Sequence, residues 1–252
     1  MPRFTLVTDS YRDHPAMDVA VSHSTLAAVA SGVLADGVLR LHVPTRIVAF
    51  GRADRVQTGY REAVHAAKAH RFAAVERLAG GRAAVFHEST IAFAWAIPDS
   101  DPRSGIERRF RVISRIMADA FGMLGIDARI GQIPGEYCPG DWSVNVAGRV
   151  KVMGVGQRLV RGGAHVGGVV VVDDGSSIRD VLIPVYRALR LDWDPRTSGS
   201  LADRSPGLDT DKVMQAIIDS FSANFDLSLG TLPPSVISGA RGLVEDHLPE
   251  VA

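Results

Sequence analysis

The stretch Gly135–Val172, GEYCPGDWSVNVAGRVKVMGVGQRLVRGGAHVGGVVVV, is the part of the chain around which the rest is organised. Two short β-like runs flank Lys151, and a longer valine-rich run carrying His165 follows them. Paired glycines interrupt the last run, as they do where another backbone or a ligand approaches a strand closely. The stretch therefore predicts successive strands that surround a small group of reactive side chains.

Cys138 and Lys151 are the two candidate catalytic residues of this stretch, and Cys138 is the only cysteine in the chain. A thiolate can attack an acyl carbonyl, and a nearby ammonium stabilises either the thiolate or the developing oxyanion. Each residue also has a plain structural interpretation. A single cysteine is often a small buried hydrophobe, and a lysine between strands is often a solvated edge charge.

The segment Ala74–His87, AVERLAGGRAAVFH, predicts a strand, a glycine turn and a second strand. Gly80 and Gly81 permit positive φ angles, so a ligand could lie directly against the main chain. Arg77 and Arg82 flank the pair. The alternative is a hairpin turn with two solvated arginines.

The remaining chain predicts helices over Pro15–Ala30, Asp101–Gly122 and Ile178–Leu189, and one starting at Asp209. The arginines of the second helix are expected on its solvated face; they are Arg108, Arg109, Arg111 and Arg115. Residues 192–207 predict a polar loop that is rich in helix breakers.

Composition excludes several function classes. The 28 basic residues balance the 28 acidic ones, so no overall field draws the chain to nucleic acid or to an anionic membrane. The apolar runs are too short to cross a bilayer. One cysteine permits no internal disulfide, and the start MPRFTLVTDSYRDHP lacks a signal-peptide pattern, so we expect a cytoplasmic protein.

Three stretches together resemble the lipoate ligase and octanoyltransferase family, which shares its catalytic fold with biotin protein ligases. They are RLAGGRAAVFH (77–87), GRVKVMGVGQR (148–158) and AHVGGVVVV (164–172). The first is similar to the signature that lines the family's acyl pocket. The second is similar to the motif whose lysine meets the acyl carbonyl, and the third to the histidine-containing strand that follows.

The resemblance implies an α+β fold, in which a mixed, largely antiparallel curved sheet is covered by helices. It places the catalytic core at residues 1–174 and leaves 175–252 as a helical extension packed on the core. It also implies a site: Cys138 and Lys151 are catalytic, no metal is bound, and the acyl group is bound by Arg77, Gly80, Gly81, Arg82, His87, Gly154, Gln157 and His165. A histidine on an apolar strand can instead be a packed core residue, which we favour for His165.

The family contains two chemistries, and the resemblance favours one of them. Transferases pass an octanoyl or lipoyl group through a cysteine thioester to a lysine of a lipoyl carrier domain and need no cofactor. Ligases activate the free acid with ATP and Mg. The loop Gly80–Gly81–Arg82 and the position of Cys138 before the lysine motif resemble the cysteine-dependent transferases.

The expected partners are a lipoyl carrier domain, from a 2-oxoacid dehydrogenase E2 or a glycine-cleavage H-type protein, and acyl carrier protein as a possible donor. Glu76, Ala79 and the pair Ala83–Ala84 depart from the family pattern. They leave a third hypothesis open, namely a noncatalytic relative that binds an acyl group or a carrier.

Overall fold

The computed structural model describes residues 1–250 and contains two sheets. The strands are β1 (Arg3–Val7), β2 (Gly37–His42), β3 (Ile47–Phe50), β4 (Ala73–Glu76), β5 (Ala84–Phe86), β6 (Thr90–Pro98), β7 (Ala128–Ile130), β8 (Val144–Val146), β9 (Val150–Val160), β10 (Gly163–Val171) and β11 (Asp226–Leu229). The helices are α1 (Met17–Ala30), α2 (Arg52–Arg55), α3 (Tyr60–Ala69), α4 (Ile106–Met123), α5 (Gly175–Ala188), α6 (Thr210–Ser222) and α7 (Pro234–Gly242).

The large sheet has eight strands in the order β11-β1-β2-β6-β10-β9-β8-β7, and the small sheet has the order β4-β3-β5. Only three neighbouring pairs are parallel: β1 with β2, β1 with β11, and β3 with β4. The other pairs are antiparallel. The predicted α+β class with a mixed, largely antiparallel sheet covered by helices is therefore confirmed.

Alternation along β6 decides which helices cover which face of the large sheet. Phe93 and Trp95 enter the main core, where α4 and α6 pack, because successive side chains of a strand point to opposite faces. Ala96 faces the other way, toward α1 and α7. The small side chains on that second face leave space under α1. The small sheet is covered by α3 and α5.

The predicted division at residue 174 stays a prediction. Within the described part of residues 175–252, β11 adds a parallel strand to β1, α6 packs on α4, and α5 packs on α3. Phe221 of α6 is fully buried in the main core. Residues 251 and 252 of the predicted extension lie outside the described range. In the described range, no helix is both long and apolar enough to cross a membrane.

The pairing of β9 with β10 depends on glycine at position 168. A Cβ atom there would lie 1.9 Å from the carbonyl oxygen of Gly154, and backbone cannot yield as a flexible side chain can. We expect Gly168→Ala to lower the free energy of unfolding by about 1–3 kcal/mol, the usual cost of overpacking. Urea unfolding measures this value.

Gly122→Ala is the matched control. Gly122 lies in α4, and a Cβ there would meet nothing within 4 Å. Its replacement should leave stability unchanged or raise it by up to about 1 kcal/mol, because alanine is the better helix former. Equal effects of the two substitutions would contradict the packing argument.

Candidate active site

Seven of the predicted site residues line one cavity of about 470 Å³. The cavity lies between residues 80–82, called the glycine loop below, residues 137–143, and strands β9 and β10. These seven are Arg77, Gly80, Gly81, Cys138, Lys151, Gly154 and Gln157. Arg82, His87 and His165 are not on this wall. The structure thus brings the two candidate catalytic residues and the glycine loop together.

The glycine loop comes close to its neighbours because it has no side chain at position 81, whereas a Cβ atom at Gly80 would meet nothing within 4 Å. Gly81 has a φ of +105°, and a Cβ there would lie 2.3 Å from Nη2 of Arg77 and 3.0 Å from Sγ of Cys138. A side chain at Gly51 would lie 1.8 Å from the Gly81 carbonyl oxygen. The loop can therefore hold its peptide groups beside the thiol only with glycine at positions 51 and 81.

Cys138 is half-buried and has a left-handed backbone, with a φ of 44°. The backbone N–H of Arg82 donates to its Sγ at 3.1 Å, and Nη2 of Arg77 lies 3.7 Å from the same sulfur. An N–H dipole and a guanidinium charge aimed at sulfur stabilise a thiolate more than a neutral thiol. Cys138 thus lies on the cavity wall with two N–H donors directed at its sulfur, and its role as a nucleophile stays a prediction.

Lys151 is buried, and its ammonium donates three hydrogen bonds within the protein. The acceptors are Oε1 of Glu136 at 2.9 Å, the carbonyl of Tyr137 at 3.0 Å and the carbonyl of Cys138 at 2.7 Å. The alternative of a solvated charge on an edge strand is therefore wrong for Lys151. The lysine positions the backbone of residues 137 and 138, because two of its three acceptors are the carbonyls of these residues.

Glu136 is the site residue that the sequence reasoning missed. Its buried carboxylate accepts from Lys151, from Oγ of Ser143 at 2.7 Å, and from the backbone N–H of Ile133 at 3.0 Å. Glu136 is the only charged residue between positions 130 and 140. That isolated charge, two residues before the cysteine, is the signal that could have identified it.

Gln157, on the cavity wall, forms hydrogen bonds with the first turn of α4. Its Oε1 accepts from Nε of Arg109 at 3.0 Å, and its Nε2 donates to the carbonyl of Ile106 at 2.8 Å. Arg109 also pairs with Asp99 at 2.6 Å and is 3% exposed. The prediction of a solvated face is therefore wrong for Arg109. The physical reason is that its guanidinium is satisfied inside the protein by these two acceptors and by the carbonyl of Pro102.

The other predicted residues lie elsewhere. The Arg82 side chain turns to the carbonyl of Ala53 at 2.8 Å, so only its backbone reaches the thiol. His87 is buried; its Nδ1 accepts from the Ser89 N–H at 3.2 Å, and burial lowers its pKa. His165 lies on the α1 side of β10, where burial, with a smaller contribution from His23, lowers its pKa to about 4.

The described residues 1–250 contain no group of three His, Cys, Asp or Glu side chains placed to hold a metal ion.

The fold is that of lipoate-protein ligases of known structure. A lipoate-protein ligase A whose structure was solved with ATP superposes with a TM-score of 0.78 at 19% identity, covering 97% of this chain and 95% of that one. The bipartite ligase of Thermoplasma acidophilum gives 0.76 at 19% identity and 97% and 93% coverage. At these identities the likeness concerns the fold.

The chain belongs to the family defined by the lipoyl protein ligase A/B catalytic domain, whose pattern matches residues 14–222. The octanoyl-[GcvH]:protein N-octanoyltransferase of Geobacillus kaustophilus is 29% identical over 164 residues, which are 65% of this chain and 57% of that protein. The enzyme of the same name from Exiguobacterium sibiricum is 26% identical over 238 residues, 89% and 83% of the two chains. The lipoyl-[GcvH]:protein N-lipoyltransferase of Listeria monocytogenes is 23% identical over 208 residues, 77% and 74%. The resemblance recognised in the sequence is thus confirmed at the level of the family.

The buried pair of Lys151 and Glu136 generates a stability prediction. We expect Glu136→Gln and Lys151→Met each to lower the free energy of unfolding by about 3 kcal/mol or more, because each leaves a buried partner uncompensated. The double variant should lose less than the sum of the two, with a coupling energy of about 0.5–3 kcal/mol. Urea unfolding of the four proteins measures it, and strictly additive losses would contradict the pairing.

The buried histidines generate a pH prediction. Burial is the largest cause that lowers the pKa of His23, His42, His87, His165 and His247 below 6.5. Below pH 6.5 the unfolded chain gains protons that the folded chain does not bind, so stability falls as the pH falls. For His165 the loss continues down to about pH 4, at up to about 1.4 kcal/mol per pH unit.

Urea unfolding between pH 7.5 and 5.5 tests this pH dependence. His165→Leu should make the decline shallower by roughly one bound proton. An unchanged slope in the variant would show that His165 does not stay neutral in the folded protein.

Proposed function

We propose that the protein transfers an octanoyl or lipoyl group between carrier proteins through a thioester on Cys138. The observation that carries this proposal is the placement of Sγ of Cys138 on the wall of the cavity, with the Arg82 N–H and the Arg77 guanidinium directed at it. The names of the relatives, which specify transfer of octanoyl or lipoyl groups from GcvH, support the same chemistry.

The donor in this proposal is an acylated carrier of the GcvH type, the glycine-cleavage H protein. The Cys138 thiolate attacks the acyl carbonyl carbon, the C–S bond forms, and the bond from that carbon to the donor's lysine nitrogen breaks. The leaving amine takes up a proton. The lysine amine of a second lipoyl domain then attacks the thioester, an amide forms, and sulfur leaves as thiolate. The acceptor amine must be deprotonated to attack.

This exchange needs no ATP, because one amide is broken and one amide is formed. It also involves no oxidation or reduction. If the donor is acyl carrier protein, the bond that breaks first is a thioester, and the rest of the sequence is the same. The target lysine belongs to the lipoyl domain of a 2-oxoacid dehydrogenase E2 in this proposal.

Lys151 has two roles in the proposed reaction. It positions Cys138 through the carbonyls of residues 137 and 138, and it is a buried cation on the wall of the same cavity. To donate to the substrate oxygen, the ammonium exchanges one of these carbonyls for it, while Glu136 keeps the charge in place. A fixed charge in such a site stabilises an oxyanion by several kcal/mol.

The competing ligase chemistry would use the same cavity with ATP and Mg. A nucleotide phosphate would need cationic donors there, and both Lys151 and Arg77 lie on the cavity wall. The preference for transfer therefore rests on the surroundings of Cys138 and on the names of the relatives. Both the ligase and the noncatalytic acyl-binding protein remain as outcomes of the experiment below.

Intact-mass spectrometry of the protein with an unmodified lipoyl domain tests the proposal in three parallel reactions. The first contains octanoyl-GcvH, the second octanoyl-acyl carrier protein, and the third octanoate with ATP and magnesium. We expect modified lipoyl domain in the first or second reaction, together with an octanoyl adduct on Cys138. Product in the third reaction alone, without an adduct, would make the protein a ligase. No product in any reaction would support the third hypothesis, a noncatalytic protein that binds an acyl group or a carrier.

Variants at Cys138 sharpen the result. Cys138→Ala and Cys138→Ser should both lose the adduct and reduce transfer at least about 1,000-fold, because serine keeps the size of cysteine but not its nucleophilicity at neutral pH. Thermal unfolding controls for the fold, and we expect melting temperatures close to that of the unchanged protein. Full transfer by either variant would refute the thioester.

A further inference from the structure

A separate cavity of about 570 Å³ lies where β1 and β2 begin and β6 ends, beside α4. We call it the α4 cavity. Among residues 1–250, none lines both the α4 cavity and the cavity that holds Cys138. Its volume is in the range of pockets that bind small molecules, which is about 300–1,000 Å³. The α4 cavity is therefore a candidate binding site that the proposed transfer reaction does not use.

The charged side chains of the α4 cavity do not cancel. Its lining includes Arg3, Asp36, Asp99, Arg108 and Arg109. Arg109 and Asp99 pair at 2.6 Å and neutralise each other. The other three are exposed, and the salt bridges along α4 in the described chain involve its other arginines, so Arg108 is available to a ligand. The cavity thus carries one net positive charge and favours a monoanion.

Trp95 adds a hydrogen-bond donor that lacks an acceptor. The residue lines the α4 cavity and is 4% exposed, and within residues 1–250 its Nε1 has no hydrogen-bond partner. An indole N–H can only donate, and a buried one normally finds an acceptor. A buried donor without a partner is unfavourable. An acceptor atom that lies beside this ring in the cavity would remove the unfavourable term.

Most of the remaining wall is apolar. It includes Phe4, Ile97, Val112 and Phe225. The rings of Phe4 and Phe225 meet edge to face, with centroids 5.1 Å apart, and both also pack against the ring of Trp95. Aromatic and aliphatic walls of this kind favour a compact hydrocarbon or aromatic body.

We propose that the α4 cavity binds a small organic carboxylate whose apolar body has about the size of one aromatic ring. In this proposal the carboxylate accepts from Nε1 of Trp95, the guanidinium of Arg108 balances its charge, and its body lies against Phe4 and Phe225. The site is independent of the acyl site at Cys138.

Titration calorimetry of the purified protein with 3-phenylpropionate tests the proposal. The matched probes are 3-phenylpropanamide, which keeps the body and lacks the charge, and acetate, which keeps the charge and lacks the body. We expect 3-phenylpropionate to bind about tenfold or more tightly than either, because a charged hydrogen bond and apolar burial each contribute at least such a factor. Absence of measurable binding, or equal binding of the amide, would overturn the proposal.

Two substitutions locate the carboxylate. Trp95→Phe keeps an aromatic ring and removes the N–H donor, and Arg108→Gln removes the balancing charge from an exposed position. Each should weaken binding of 3-phenylpropionate about threefold or more, and Arg108→Gln suffices if the tryptophan variant fails to fold. Unchanged binding in both variants would place the ligand elsewhere and refute the site.

Two further substitutions separate local contacts from overall charge. Arg111→Gln is the matched control, because Arg111 is an exposed arginine of α4 that pairs with Glu107 and is not among the residues that line the cavity. It should leave binding unchanged. Asp36→Asn removes the opposing carboxylate and should tighten binding. Equal weakening by Arg111→Gln and Arg108→Gln would attribute the affinity to net charge alone and contradict the site.

Cys138→Ala distinguishes this proposal from the proposed transfer reaction. The variant should lose transfer and bind 3-phenylpropionate as the unchanged protein does, because Cys138 does not line the α4 cavity. Loss of binding in this variant would place 3-phenylpropionate in the cavity of the thiol and overturn the inference.

Discussion

The buried ion pair between Lys151 and Glu136 organises the candidate active site. Two charges that leave water together need close contact and further hydrogen bonds to offset their desolvation. The structure supplies both: the ammonium has three acceptors, and the carboxylate has donors from Ser143 and from backbone N–H groups. Since two of the lysine's acceptors are the carbonyls of residues 137 and 138, the same interaction that stabilises the pair fixes the position of the thiol.

The strand pattern and the glycines allowed much of the fold to be predicted. Alternating and valine-rich runs are local signals, and they correctly indicated the strands of this stretch, although Lys151, expected between two runs, lies inside β9. Of the glycine pair, Gly81 was recognisable because positive φ and close approach restrict its position to that residue type. What these signals lack is any information on which distant side chain will meet a buried charge.

The unpredicted features all depend on such distant contacts. Glu136 matters because Lys151, 15 residues away, is buried against it. Arg109 is buried because Gln157 of β9 and Asp99 accept from it, although its helix carries other arginines on the solvated face. His165 faces α1 and not the thiol, because strand alternation puts it opposite Val166 of the main core. Each case therefore depends on contacts between segments that are distant in sequence.

The large sheet separates the charged groups of the candidate site from two buried neutral histidines. Cys138 and Lys151 line the cavity beside the glycine loop, whereas His42 and His165 lie under α1. Burial suppresses the protonation of these two rings. The charge around Cys138 therefore comes from the Arg77 guanidinium and from the pair of Lys151 and Glu136, whose positions depend on the glycine loop and on the buried ion pair.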